Sequence, residues 1–431
     1  MRQYVKAAAV VAISLVMSSD VFAQPVQVTP PASVLLAAPK TVATPSTPKQ
    51  PIVQVCRNTA DFGRWLETFK KDATAAGISP KTMQSASPYL TLDQNIIWTD
   101  RGQRFFAQSF LDFSDKLASR GRMQNGISHA AKHKAIFAQA GKEYGVPAPV
   151  IAAFWALESD FGASMGNKPV LRSLVSLAYD CRRGEMFRGE LLAALKIIDR
   201  GDLQAAEMIG SWAGELGQTQ FLPTHYLNHA VDYDGDGRRN LLRSPADVIG
   251  SSAAFIKSLG WQPGQPWLQE VKVPANLAWD QADLAIQHPR SQWAKWGVTA
   301  VDGKPLSADQ TPGSLVLLMG RNGPAFLAYP NFQIFTRWNQ SLTYAVTAAY
   351  LATRIDGAPA MRRGNAPVPV LQANQVIELQ TLLAKRGFPA GEPDGKLGAG
   401  TRSAIKAAQM KFGLPADSYP TSELIEQLRR S

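Results

Sequence analysis

Apolar side chains at Phe62, Trp65, Leu66, Phe69 and Ala73 recur at helical spacing and Gly77 follows, so the pattern predicts an amphipathic helix that stops there. Phe105, Phe106, Phe110, Leu111 and Phe113 predict a second helix, and Ala130 to Tyr144 a third. Pro147 and Pro149 then open an apolar run, Val150-Ile151-Ala152-Ala153-Phe154-Trp155-Ala156-Leu157; proline is acceptable in a first turn. Further helices are predicted at about 186–199, 245–259 and 341–354. Strand signals are few, Ser314 to Met319 being the clearest. The main unit, about 56–356, reads as mostly α with minor β.

Composition marks the segments around it. Residues 24–55 are rich in Pro, Val, Thr and Ala without periodicity and read as an extended, disordered tether. Residues 357–370, with Gly357, Pro359, Gly364, Pro367 and Pro369, read as a linker to a small helical unit at 371–431. Arg2 and Lys6, the apolar stretch Ala7 to Met17 and Val21-Phe22-Ala23 form a signal-peptide pattern over 1–23. That apolar stretch is too short for a membrane span, and no Cys lies near the cleavage point to carry a lipid anchor. The expected mature protein is exported and soluble, with no stable membrane anchor.

A formal net charge of +11 favours an anionic partner, and export turns that expectation from nucleic acid to an acidic wall polymer. The two cysteines, Cys56 and Cys181, are expected to pair in an oxidising compartment; two buried free thiols are the alternative. His129 and His133 lie four apart, but Lys132 and Lys134 flank the second, so a basic solvent-facing helix is expected and no catalytic metal.

One carboxylate stands out. Glu158 ends the apolar run and is followed by Ser159-Asp160-Phe161-Gly162. Burial of an unpaired carboxylate raises its pKa, and a carboxyl group protonated near neutrality is what a glycosidase needs as its acid. The alternative is a buried salt bridge with Arg172 or Arg182. Gly162 to Gly166 follows with the glycines of a tight reversal. The block Gly210-Ser211-Trp212-Ala213-Gly214-Glu215-Leu216-Gly217-Gln218-Thr219-Gln220-Phe221-Leu222-Pro223 mixes amides, hydroxyls and aromatics with glycine, a composition suited to a sugar groove. Phe335-Thr336-Arg337-Trp338-Asn339-Gln340-Ser341 adds an aromatic-amide pair before the last long helix of the main unit.

Together these blocks, with Asp232–Asp247, resemble the B-type lytic murein transglycosylases over Cys56 to Ile355. The resemblance implies a lysozyme-like helical catalytic domain in which Glu158 is the sole acid/base. It implies that Ser211, Gln220 and Asn339 line the sugar site, and Gln218 and Trp338 are taken with them as substrate-binding residues. Trp338 stands where the family pattern has tyrosine, keeping an aromatic platform but removing a phenol. Met186 is aligned with an aromatic of the same site.

The implied reaction cuts the β-1,4 bond between N-acetylmuramic acid and N-acetylglucosamine and closes a 1,6-anhydro ring, with no cofactor for the chemistry. A hydrolytic muramidase and a non-catalytic wall-binding scaffold are the alternatives. Ordinary glycosidases pair two carboxylates. Asp160 faces elsewhere on a helix and is expected as a polar contact at its C-terminus. Glu215, among glycines, is expected on an exposed loop and is the rival second acid.

Asp232-Tyr233-Asp234-Gly235-Asp236-Gly237 resembles the start of a calcium loop, but position 12 is Arg243 instead of glutamate. The family likeness adds Asp247, so a structural calcium would be held by Asp232, Asp234, Asp236, the Arg238 carbonyl and Asp247. A metal-free Asp/Gly turn is the alternative. In 371–431, Leu379-Gln380, Arg386-Gly387-Phe388, Asp394-Gly395, Thr401 and Ala408-Gln409 resemble the three-helix peptidoglycan-binding domain; a generic docking module is the alternative. The expected partner is the peptidoglycan glycan strand, without nucleic acid. A monomer in the periplasm of a Gram-negative envelope is expected.

Overall fold

The computed structural model describes residues 61–102 and 108–431. The expected signal peptide, the Pro-rich tether, Cys56, and Phe105 and Phe106 lie outside the described residues. The first helix runs Phe62–Ala75, with the Asp61 carboxylate accepting from the Arg64 amide. Phe110 and Leu111 belong to Phe110–Leu117, capped by the Ser109 hydroxyl at the Asp112 amide.

Helix Ala148–Ser159 is the centre of the main core. It is apolar on every face, and all of Val150 to Leu157 is buried. It packs between helices Arg120–Lys132 and Leu342–Ile355. Fully burying each large apolar side chain there contributes roughly 1.5–3 kcal/mol. The helix ends abruptly: Asp160 (φ 53°) and Phe161 (φ 58°) both take left-handed backbone conformations, uncommon for side-chain-bearing residues.

The expected helix across Ala130 to Tyr144 is two helices, Arg120–Lys132 and Lys134–Tyr144, broken at His133 (φ −107°, ψ 28°). Nor does this stretch simply face solvent. The His129 ring stacks on Phe161 at 4.3 Å and meets Trp155 edge-on at 5.0 Å. Helices Gly184–Asp199, Pro245–Ser258 and Leu342–Ile355 fall at the predicted places.

The β content is a five-stranded antiparallel sheet in the order His288–Pro289, Pro312–Val316, Ala325–Ala328, Leu268–Lys272, Thr299–Ala300. The expected strand Ser314 to Met319 is shifted toward its start, Pro312–Val316. Ala325–Ala328 is buried along its whole length and so lacks the alternation that reveals a half-exposed strand. A second cluster, with Leu277, Trp293, Leu315 and Leu327, fills one side of this sheet. Helices Ala373–Lys385, Ala399–Lys411 and Ser422–Arg430 enclose a third around Leu379, Ile405 and Leu424. No helix among the described residues is long and apolar enough to cross a membrane.

Candidate active site

Glu158 occupies the last turn of the buried helix, at the edge of the apolar core. Its Oε1 accepts from Trp338 Nε1 at 2.8 Å and from the Tyr344 hydroxyl. Oε2 receives no hydrogen bond among the described residues. Burial pushes the Glu158 pKa up to about 7, against the two donors, which stabilise the charged form and pull it down. Neither cation offered by the sequence pairs with it. Arg182 binds Asp100 at 2.8 Å, and Arg172 Nε has no hydrogen-bond partner.

Trp338 is not an open platform. Its ring lies on Phe154 at 4.0 Å and 18°, only 7% of the residue is exposed, and its nitrogen serves Glu158. Tyr344, absent from the site expected on sequence, supplies a phenol there; nothing local marks it, since it lies 186 residues from Glu158. Asp160 caps the helix and approaches Arg122 Nε at 3.5 Å.

The Gly210–Pro223 block folds back on itself through bridges Gly210 to Leu216 and Leu216 to Phe221. Gly166 lets its chain pass this block: at φ 88°, a Cβ there would meet Gly210 O at 2.2 Å. Gly162 plays the same part against Gln218, whose Oε1 would lie 2.7 Å from an added Cβ.

Within this block the polar side chains hold the framework. Gln218, expected on the sugar, is turned inward: Oε1 accepts from Trp155 Nε1 at 2.9 Å and Nε2 donates to Leu242 O at 3.1 Å. Ser211 is also buried, its hydroxyl given to Glu215 Oε2 at 2.8 Å. Gln220, at φ 49°, donates to Gly217 O at 2.8 Å. Asn339 Oδ1 accepts from the Ser341 amide at 2.9 Å. Buried polar groups in so glycine-rich a turn must satisfy one another, and their intramolecular hydrogen bonds are not legible in composition. Glu215 likewise is not on an exposed loop. It is buried, and burial together with the charge of Glu158 pushes its pKa up to about 7 while Ser211 and Arg183 oppose. Met186 packs on the main core as a partly buried residue.

Oxygens of Asp232, Asp234 and Asp247 converge to within 4.8 Å of one another, with Asp247 fully buried. Asp247 accepts from the Tyr233 and Asn240 amides at 2.7 and 2.6 Å, and burial raises its pKa. Asp236 is not drawn into the group; its Oδ1 accepts from the Arg238 amide at 2.8 Å. The Arg238 guanidinium binds Asp202 O and Glu207. Three carboxylates gathered so closely, one of them buried, fit a hard cation with oxygen ligands. Cys181 is not a free thiol.

Residues 61–353 match the family model of the transglycosylase SLT domain, and 372–428 match that of a peptidoglycan binding domain. Membrane-bound lytic murein transglycosylase B of Escherichia coli (strain K12) is 32% identical over 253 residues, 57% of this chain and 67% of that protein. Among solved structures, SltB3 of Pseudomonas aeruginosa in complex with NAG-anhNAM-pentapeptide is similar at TM-score 0.80 and 40% identity, covering 85% of this chain and 99% of that one. The Escherichia coli lytic transglycosylase Slt35 in complex with calcium is similar at TM-score 0.58 and 27% identity, covering 71% and 98%.

Proposed function

The chain belongs to the transglycosylase SLT family and is a lytic murein transglycosylase; from that premise we propose that Glu158 is its single proton carrier, first acid and then base. The observation that supports this is the asymmetry of the carboxyl group. Both donors act on Oε1, so the proton of the neutral acid belongs on Oε2, the oxygen without a hydrogen bond from the protein. With a pKa near 7, the group is both protonated and basic at useful levels.

In the first step Oε2 gives its proton to the glycosidic oxygen as the bond from the muramoyl C1 breaks. In the second, the C6 hydroxyl attacks C1 and its proton returns to the Glu158 carboxylate, closing the 1,6-anhydro ring. No water is consumed and the acid is regenerated. Gln220 and Asn339 border the sugar in this reading, with Trp338 and Tyr344 behind the carboxyl group.

The unit at 371–431 holds the wall polymer, and the chain acts in the periplasm as a monomer with a Cys56–Cys181 bridge. Asp232, Asp234 and Asp247 hold a structural calcium ion, which would neutralise their mutual repulsion and take no part in the chemistry.

Mass analysis of the products released from purified sacculi tests the reading. We expect anhydro-muropeptides from the parent protein and their loss in Glu158→Gln. Reducing, hydrated ends from the parent would favour a muramidase instead, and binding without any product would leave a scaffold.

A further inference from the structure

The aromatic array beside Glu158 does not end at Trp338. Next to that ring, at 5.3 Å, lies Phe255, which in turn meets the rings of His225 at 4.7 Å and His229 at 4.9 Å. Phe221 fills the side of the array, 5.8 Å from Trp338, 5.1 Å from Phe255 and 6.4 Å from His225. Trp338, Phe255 and Phe221 are buried, whereas both histidines are partly exposed. A wall that begins at the nitrogen serving the Glu158 carboxyl group thus reaches the surface as two imidazoles.

Their helix, Pro223–His229, sets the two histidines four residues apart and so on one face. It is anchored on both sides of His225. The Thr224 amide and hydroxyl donate to buried Glu190 at 2.9 and 2.8 Å, and Tyr226 is fully buried with its hydroxyl on the Arg239 carbonyl. A side chain between two such anchors has its direction set before any ligand arrives. Yet the contacts of both imidazoles are ring contacts. Their nitrogens make no hydrogen bond among the described residues, and none of these nitrogens is sealed from solvent.

Burial, with a smaller contribution from His229, pushes the His225 pKa down to about 4, and burial lowers that of His229 as well. Near neutrality each ring is therefore uncharged, with one N–H donor and one bare acceptor nitrogen. A carboxylate gains no ion pair from such a ring. Hydroxyl and acetamido groups, which both donate and accept, match it.

We propose that His225 and His229 form a sugar-recognition edge of the cleft, hydrogen-bonding the hydroxyl and acetamido groups of an N-acetylhexosamine unit that flanks the bond to be cut. This rests on Glu158 marking the place of cleavage. The two imidazoles exchange no proton with the substrate; they hold the strand and leave the proton steps to Glu158.

The test is His225→Phe and His229→Phe, singly, because phenylalanine keeps the ring contacts with Phe255 and removes both nitrogens. On purified sacculi we expect KM to rise about fivefold in His225→Phe, the loss of roughly one hydrogen bond, with kcat held and products still anhydro. His225→Gln, which keeps an uncharged donor and acceptor, should restore KM. A role in packing alone would leave KM at the parent value in His225→Phe, and that result overturns the proposal; so does a KM rise that His225→Gln does not relieve. The rise should persist on glycan strands freed of stem peptides. A rise confined to peptide-bearing material would put a peptide group on the histidines and overturn the sugar assignment. Should His225→Phe fail to fold, the imidazole NMR signals of the five histidines read the same contact in Glu158→Gln with peptide-free glycan strands bound. The His225 and His229 signals are expected to move, and signals that stay in place overturn the idea. Anhydro products surviving in Glu158→Gln would instead remove Glu158 from its role, a result separate from either outcome at the histidines.

Discussion

Trp338 and Tyr344 reach Glu158 from 180 and 186 residues away, and both donate to the same oxygen. Glu158 itself is legible in the sequence, because a lone acid closing an apolar helix must either find a cation or keep a proton. Its donors are not legible, because a hydrogen bond across that separation leaves no mark in local periodicity. The substitution of tryptophan for the family's tyrosine reads as a lost phenol, yet the indole nitrogen and the Tyr344 phenol both serve the carboxyl group. Tyr344→Phe isolates one of them. A donor that stabilises the charged form lowers the pKa, so its removal raises it. The alkaline limb of kcat/KM should therefore move up by about one pH unit, ~1.4 kcal/mol. A downward or absent shift in the pH profile would mean that the phenol does not act on Glu158.

At the scale of elements, periodicity locates helices whose apolar stripe is interrupted by polar positions, such as Phe62–Ala75 and Gly184–Asp199. It runs through the break at His133 because apolar spacing does not report the backbone angles of one residue. Beside that break lies the aromatic cluster of His129, Trp155 and Phe161, assembled from two helices and a strained turn, with the His133 ring 6.2 Å from Trp155. The loop 232–247 reads in the sequence as a run of candidate oxygen ligands, and which of its carboxylates converge is set by folding. Asp247 is brought in from the first turn of Pro245–Ser258, while Asp236 is spent on an amide of its own turn. If the three converging carboxylates hold calcium, the ion adds stability by binding only the folded form, about 2.7 kcal/mol at roughly a hundredfold excess over Kd. Differential scanning calorimetry after chelation should then give a Tm higher by a few degrees on adding calcium, and none in Asp247→Asn. An equal rise in both proteins would place the ion elsewhere.

In the whole molecule, the C-terminal unit is not left on a free tether. Arg402 donates to the carbonyls of Leu317 and Leu318, just past strand Pro312–Val316, and Asp417 takes the Arg321 amide and guanidinium at 3.0 and 3.3 Å. Lys406 meets Asp283 at 3.1 Å. The segment read as a linker is itself held, with the Asn365 amide on Asn322 O at 2.7 Å and the Arg362 amide on Glu270 at 2.8 Å. Leaving buried carbonyls unpaired costs about 1–3 kcal/mol each. Arg402→Ala should therefore open the segment 357–370 to limited proteolysis and raise the radius of gyration in small-angle scattering. Cleavage of short soluble glycans should be unchanged, since Arg402 lies outside the cleft. Protease resistance equal to the parent protein's would mean the docking does not depend on this arginine. The sequence by itself determines the helical core, the acid at the end of its central helix and the order of the blocks around it, because apolar spacing and short motifs are local properties of the chain. Only the tertiary structure decides which oxygen of Glu158 is free to carry a proton, that Glu215 is buried against the Ser211 hydroxyl, and that the C-terminal unit is fixed in place. Each of those is a contact between distant segments, and its energy exists only once the core has closed around it.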